Sequence, residues 1–228
     1  MPSLYWVALT LVLVINNFCL AQNSNNSSDN TTGFFPPSQK FYSSGFVTPS
    51  PPNIQPEFRA NYMQHKFDVN IDTHIVSGFI YVSPSQQKIR ADAAGDGVLE
   101  ASFFDFQNTT SNGTMVANAI VSFDGGVTEP TCSSFFVPPF VELFPPDFLA
   151  QSNAVFSGVQ IDDLYGPVDT WTFSKGDNLQ VTFFLDPNNV LVRFDFAASD
   201  SLRTFATTRF FNIIPGPINA TVFETSCR

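Results

Sequence analysis

Few residues in this 228-residue chain are of types that do covalent chemistry, and their spacing fits no catalytic template. The only histidines are His65 and His74, and no Gly-x-Ser-x-Gly elbow, His-Glu-x-x-His zinc site or Gly-rich phosphate loop accompanies them. A Ser-His-Asp triad can be drawn on paper from His74, but Ser and Asp are so plentiful that the match carries no information. Neither downstream cysteine has a nucleophile's context, so the chain is expected not to be an enzyme. Asp68-Val69-Asn70-Ile71-Asp72 carries the alternating oxygen ligands that open a calcium loop. Position six, however, is Thr73 where the loop needs Gly, and position twelve is Phe79 where it needs Glu. A solvated strand edge explains the same pattern. Asp92, Asp96, Asp162 and Asp163 are further carboxylates that could hold Ca²⁺ weakly. No metal ligand set is assigned and no cofactor is expected.

What the composition does offer is apolar surface. There are 27 Phe against 2 Trp and 5 Tyr, and of the Phe only Phe18 lies in the first 21 residues. A phenylalanine buries about 150 to 250 Å² and has no polar tip. The rings therefore either fill a large core or line a pocket for a hydrophobic ligand. Phe103-Phe104, Phe183-Phe184 and Phe210-Phe211 would place one ring on each face of a strand. Both faces of those strands must then be covered, by a helix, a loop, a ligand or a partner.

Three further features concern export. Residues 4–15 form an apolar run that leads through Asn16-Asn17 to Cys19-Leu20-Ala21, the pattern of a signal peptide cleaved after Ala21. A membrane-spanning helix would need roughly 20 apolar residues, more than this run supplies. Sequons occur at Asn25, Asn26, Asn30, Asn108, Asn112 and Asn219, and a glycan at Asn108 or Asn112 requires a solvent-facing turn there. Cleavage discards Cys19 and leaves Cys132 and Cys227, which in an oxidising compartment most simply form one disulfide, pairing between chains being the alternative. The expected location is secreted and extracellular. With Lys+Arg 10 against Asp+Glu 20, bulk charge disfavours nucleic acid and anionic membranes. Past the leader no stretch is long and apolar enough to span a membrane. The oligomeric state is open, a homodimer being compatible.

These features must be held by a β-rich domain. Residues 22–56 are rich in Asn, Ser, Thr and Pro and are expected to form a glycosylated, largely disordered leader. Residues 57–228 are expected to form one domain. Strand patterns recur near 63–71, 75–82, 87–92, 98–106 and 115–123, then at 154–161, 168–174, 179–185, 190–196 and 203–213. Val190, Val192, Phe194 and Phe196 alternate with Leu191, Arg193 and Asp195, which predicts one apolar face. Between the two sets, Gly and Pro interrupt residues 124–154, with a short helix expected over 147–153 after Pro145-Pro146. The class is mainly β, and about ten antiparallel strands must close or curl, because a flat sheet that wide exposes its edges.

The segment Gly78-Phe79-Ile80-Tyr81 leading to Gln86-Gln87-Lys88-Ile89-Arg90-Ala91-Asp92 resembles the ependymin-related proteins. So do Val168-Asp169-Thr170-Trp171, Phe211, Pro215, Pro217, Phe223 and the terminal Cys227. Members usually carry more cysteines, including one just before the tryptophan, where this chain has Thr170. The resemblance implies a fold similar to the bacterial lipoprotein carriers. That is a strongly curved antiparallel half-barrel with one or two short helices over its open face, enclosing a pocket for lipid-like ligands. Phe79, Tyr81, Phe103, Trp171, Phe183 and Phe194 are the expected lining. The leading expectation is a secreted glycoprotein that binds a hydrophobic or lipid-like small molecule. The alternative is an extracellular matrix or cell-adhesion glycoprotein with weak calcium ion binding and no pocket, a role also attached to the family.

Overall fold

The structure is a computed structural model that describes residues 49–67, 74–95, 97–124, 129–137, 142–175, 179–198, 204–225 and 227. Eleven strands make one unclosed, curved antiparallel sheet: β1 (Phe58–Phe67), β2 (His74–Ser83), β3 (Lys88–Gly95), β4 (Val98–Thr109), β5 (Val116–Asp124), β6 (Thr131–Val137), β7 (Val155–Asp162), β8 (Gly166–Lys175), β9 (Leu179–Leu185), β10 (Leu191–Ala198) and β11 (Phe205–Pro215). Their order is β6-β5-β4-β3-β2-β1-β11-β10-β9-β8-β7. Two meanders are thus joined where the first strand pairs with the last. Between them sits α1 (Phe148–Gln151), and a 3₁₀ turn (Ala220–Phe223) follows β11.

The mainly β, curved class matches the expectation, with one more strand. The extra one is β6, inside the stretch that Gly and Pro made look irregular. It is an edge strand whose residues 131–136 are exposed, so it needs no apolar alternation to hold its place. The first strand starts at Phe58, where Phe58 and Ala60 face the core. In β10 the register slips between Leu191 and Arg193, which corrects the expected alternation. Leu191 joins the core, whereas Val192 packs on the other face with Val168 and Phe184.

All eleven strands send a side chain into one cluster that Leu149 of α1 completes, from Val116 and Val137 at one edge to Phe156, Trp171 and Phe173 at the other. A flat sheet of this many strands would be about 48 Å wide at ~4.8 Å per strand. Curvature brings its ends onto a shared core. The segment 142–154 plugs that face: Phe144 lies 5.2 Å and Phe148 5.7 Å from the Phe183 ring. Ile54 also enters this core, and its N–H bonds the carbonyl of Pro146.

Among the described residues the opposite face is covered in two places. Near β9 and β10, Tyr165 folds over Val168, Phe184 and Val192, and its hydroxyl donates to the carbonyl of Phe210. Over β3, the segment after β11 is held by Arg90 Nη1 donating to the carbonyl of Val222 and Gln86 Nε2 donating to that of Ile218. It ends in the Cys132–Cys227 disulfide within the chain, with Cα atoms 5.4 Å apart. At Gly78 the backbones of β2 and β3 come close together. A Cβ there would lie 1.7 Å from the carbonyl oxygen of Asp92, so only glycine fits.

Candidate functional site

The sheet register sorts the six expected lining residues into two rows on opposite faces. Trp171, Phe183 and Phe194 stand directly across from one another on β8, β9 and β10. They face the core. Trp171 and Phe183 are each 2% exposed, and Phe144, Phe148, Phe173 and Phe194 surround the Phe183 ring. This row is packed ring on ring. The Trp171 Nε1 is buried there, and the Asn118 Oδ1 is buried on β5, each without a hydrogen-bond partner among the described residues.

Tyr81, Arg90 and Phe103 form the second row, across β2, β3 and β4. The guanidinium of Arg90 lies 5.7 Å from the Tyr81 ring and 5.0 Å from the Phe103 ring, a cation–π arrangement. Its Nε and Nη2 grip the two oxygens of Asp92 at 2.7 and 2.9 Å. This pairing with Asp92 and the bond to Val222 lock the guanidinium in place. Phe79 faces the same side, two residues before Tyr81, and is 49% exposed.

Beside this row a groove of about 580 Å³ runs along β1 to β4 and reaches β5 and β11. Its apolar wall is Met63, Phe79, Leu99, Phe123 and Phe211, and Arg90 and Asp92 stand in its side. Asn61 and Ser77 supply uncharged polar groups. Of the walls, Leu99 is 57% exposed, and Met63, Phe79 and Phe123 are also exposed. Phe211 is shared with a second hollow of about 750 Å³ whose lining includes Tyr165, Val192 and Ile213. Tyr62, partly buried at the groove, has its phenol pushed up to about 12, by burial first and then by the charge of Asp92.

Two of the carboxylates considered for calcium have other duties, and Asp163 is exposed on the turn after β7. Asp92 pairs with Arg90, while Asp162 accepts from the backbone N–H of Leu164 and Tyr165 and lies 3.8 Å from Arg209. Among the described residues no three His, Cys, Asp or Glu side chains are grouped to hold a metal ion. Asp68, Asn70, Asp72 and Asp96 lie outside the described residues, as do Asn25, Asn26, Asn30 and residues 1–21. Asn108, Asn112 and Asn219 are exposed. In two of these sequons the downstream threonine hydroxyl donates to the asparagine Oδ1, Thr114 to Asn112 at 2.9 Å and Thr221 to Asn219 at 3.1 Å. Among the described residues no helix is long and apolar enough to cross a membrane.

The sequence reading reached Phe79 and missed Met63, Leu99, Phe123, Phe211 and Arg90. Their signal was parity: in each strand they fall on the face opposite the core residues Tyr62, Ile89, Phe104, Ile120 and Phe210. Thr170 is fully buried and donates to the carbonyl of Gly158 at 2.7 Å.

No family model matches the chain, and no curated protein does. Among solved structures, the crystal structure of a LolA superfamily protein from Nitrosomonas europaea aligns at 9% identity with a TM-score of 0.40, covering 75% of this chain and 91% of that one. Likeness at this level leaves function to the chain's own side chains.

Proposed function

We propose that the protein is an exported glycoprotein that binds a hydrophobic or lipid-like small molecule on the face of its sheet opposite the core. The observation that carries this reading is the groove of about 580 Å³ walled by Met63, Phe79, Leu99, Phe123 and Phe211. Its size falls within the range of about 300 to 1,000 Å³ common for small-molecule sites, and exposed rings beside a groove gain free energy when an apolar chain covers them. Arg90, Asp92 and Glu100 also line the groove, and Arg90 and Asp92 are paired with each other. Export is supported by the leader pattern of residues 1–21, by the disulfide and by the exposure of the three described sequons. Displacement of a fluorescent fatty-acid analogue from the purified chain, with native mass spectrometry for copurified lipid, tests the reading. Saturable binding that Leu99→Glu weakens supports it. Absence of both signals overturns it, and Ca²⁺-dependent attachment to cells or collagen in their place would favour the matrix alternative.

A further inference from the structure

We propose that the hollow of about 750 Å³ bounded by the β7–β8 turn, the β9–β10 turn and the end of β11 is a binding site for an organic ammonium ion. Asp186 is the counter-ion, and Tyr165 and Phe211 supply the π surface that favours an alkylated ammonium. The site is distinct from the groove walled by Phe79 and Leu99 and does not require it.

Charge singles out this hollow. Asp92, Asp162 and Asp195 are each matched by an arginine, Arg90, Arg209 and Arg193 in turn. No basic residue lines the hollow, and among the described residues none pairs with Asp186. One oxygen of Asp186, Oδ1, accepts from the backbone N–H of Asn188 and Val190 at 2.9 and 2.8 Å, which fixes the carboxylate in the turn. The other, Oδ2, meets the Asn188 carboxamide at 3.5 Å and keeps capacity for a ligand. Burial first, then the charges of Asp162 and Asp186, hold the Tyr165 phenol above its ordinary value, so the Asp186 charge reaches a ring that walls the hollow. An anion is repelled there. A calcium ion needs about six to eight oxygen ligands, whereas a single carboxylate among Val190, Val192 and Ile213 suits alkyl groups around a cation.

The backbone bends to build the rim. Two residues of β11, Asn212 and Ile213, oppose the single Ala60 of β1, and Asn212 takes a φ of 50° within the strand. Bulges and left-handed residues gather at binding sites. Here they place Phe211, Asn212 and Ile213 together on the wall of the hollow, where the alternation of a regular strand would turn the middle one away.

Nuclear magnetic resonance titration of the full, oxidised chain with hexyltrimethylammonium, hexanol and hexanoate tests the site. The ammonium should shift the amides of Tyr165, Asn188 and residues 211–213 saturably and bind about tenfold more tightly than hexanol, and hexanoate should not bind there. Asp186→Asn keeps an oxygen for the two turn N–H groups and removes the charge, so it should weaken the ammonium about tenfold. Glu129→Gln, which removes an exposed charge before β6, should leave binding unchanged. If the Asp186 variant fails to fold, the ranking of the three probes on the unmodified chain still decides.

Phe79→Ser separates a free amine from the head of an amphiphile. Phe79, Asn61 and Phe211 stand across β2, β1 and β11, roughly 10 Å from end to end, so a decyl chain held at the hollow extends into the groove. Both outcomes support the ammonium site: weaker decyltrimethylammonium with tetramethylammonium unchanged identifies an amphiphile, and no change in either identifies a free amine and counts against the groove. Hexanoate binding as tightly as the ammonium, shifts confined to other residues, or an affinity indifferent to Asp186→Asn overturns the proposal.

Discussion

Trp171-Phe183-Phe194 and Tyr81-Arg90-Phe103 are both rows of three residues across three neighbouring strands, yet they lead opposite lives. The first is sealed by Phe144 and Phe148 from the segment before and within α1. The second is topped by one guanidinium and the tail after β11, and beside it Phe79 and Leu99 stay in solvent. The residue types barely differ. What differs is whether the chain itself returns to cover them, and that decides whether an aromatic ring stabilises the fold or remains available to a ligand.

Truncation of one ring in each row tests that contrast most strongly. Phe183→Ala removes a ring with four aromatic neighbours and should cost about 3 to 5 kcal/mol. Phe103→Ala loses a partly exposed ring and one cation–π contact, and should cost about 1 kcal/mol. Denaturant unfolding of both variants measures the gap, and equal losses would end the distinction between the faces.

The disulfide comes next. It closes a loop of sequence separation 95, so replacing Cys132 and Cys227 with serine should cost about 2 to 5 kcal/mol. The loss should be uneven: hydrogen exchange should show residues 216–225 loosened while β8 and β9 stay protected. Uniform loosening of both faces would mean that the tail stabilises the core row as much as its own.

A third test uses pH. The folded Tyr62 phenol holds its proton up to about 12 against the 10.0 of an ordinary phenol, so its contribution is fully present below the unfolded value and is lost as pH rises from 10 through 12. The loss should be about 2 kcal/mol, discounted for partial exposure. Tyr165, also raised, first by burial and then by Asp162 and Asp186, adds in the same sense from the other end of the sheet. Tyr62→Phe should flatten most of the decline between pH 10 and 12 in a series of unfolding measurements, and an unchanged slope would assign it to other groups.

Much of this architecture was legible in the residues. Antiparallel β followed from short alternating runs with turn signals, and the Phe pairs announced that both faces need cover. Phe104 and Phe103, Phe183 and Phe184, and Phe210 and Phe211 do split between faces. The grouping of the six lining candidates was not legible, because parity fixes a side chain's face only within its own strand. Whether Phe79 shares a face with Trp171 depends on the pairing of β1 with β11, a contact between chain ends that no local pattern encodes. The bulge after Leu191 escaped for a similar reason: one inserted residue reassigns Val192 without changing the hydrophobic pattern. As for β6, only Val137 at its end is buried, so residues 131–136 carry no alternation and the sequence reads as loop.

The smallest effect on stability carries the most information about function. Phe79 is 49% exposed, so Phe79→Ser should change the unfolding free energy by no more than about 0.5 kcal/mol, the range of ordinary surface substitutions. If the groove holds an apolar chain, the same variant should weaken binding of a fluorescent fatty-acid analogue about tenfold, since a ring covered by ligand contributes roughly 1.5 kcal/mol or more. Phe183→Leu, which keeps the core filled, should leave that binding unchanged. The reverse outcome, binding lost with Phe183→Leu and kept with Phe79→Ser, would move the site to the core face and require the segment carrying Phe144 and Phe148 to make way for the ligand.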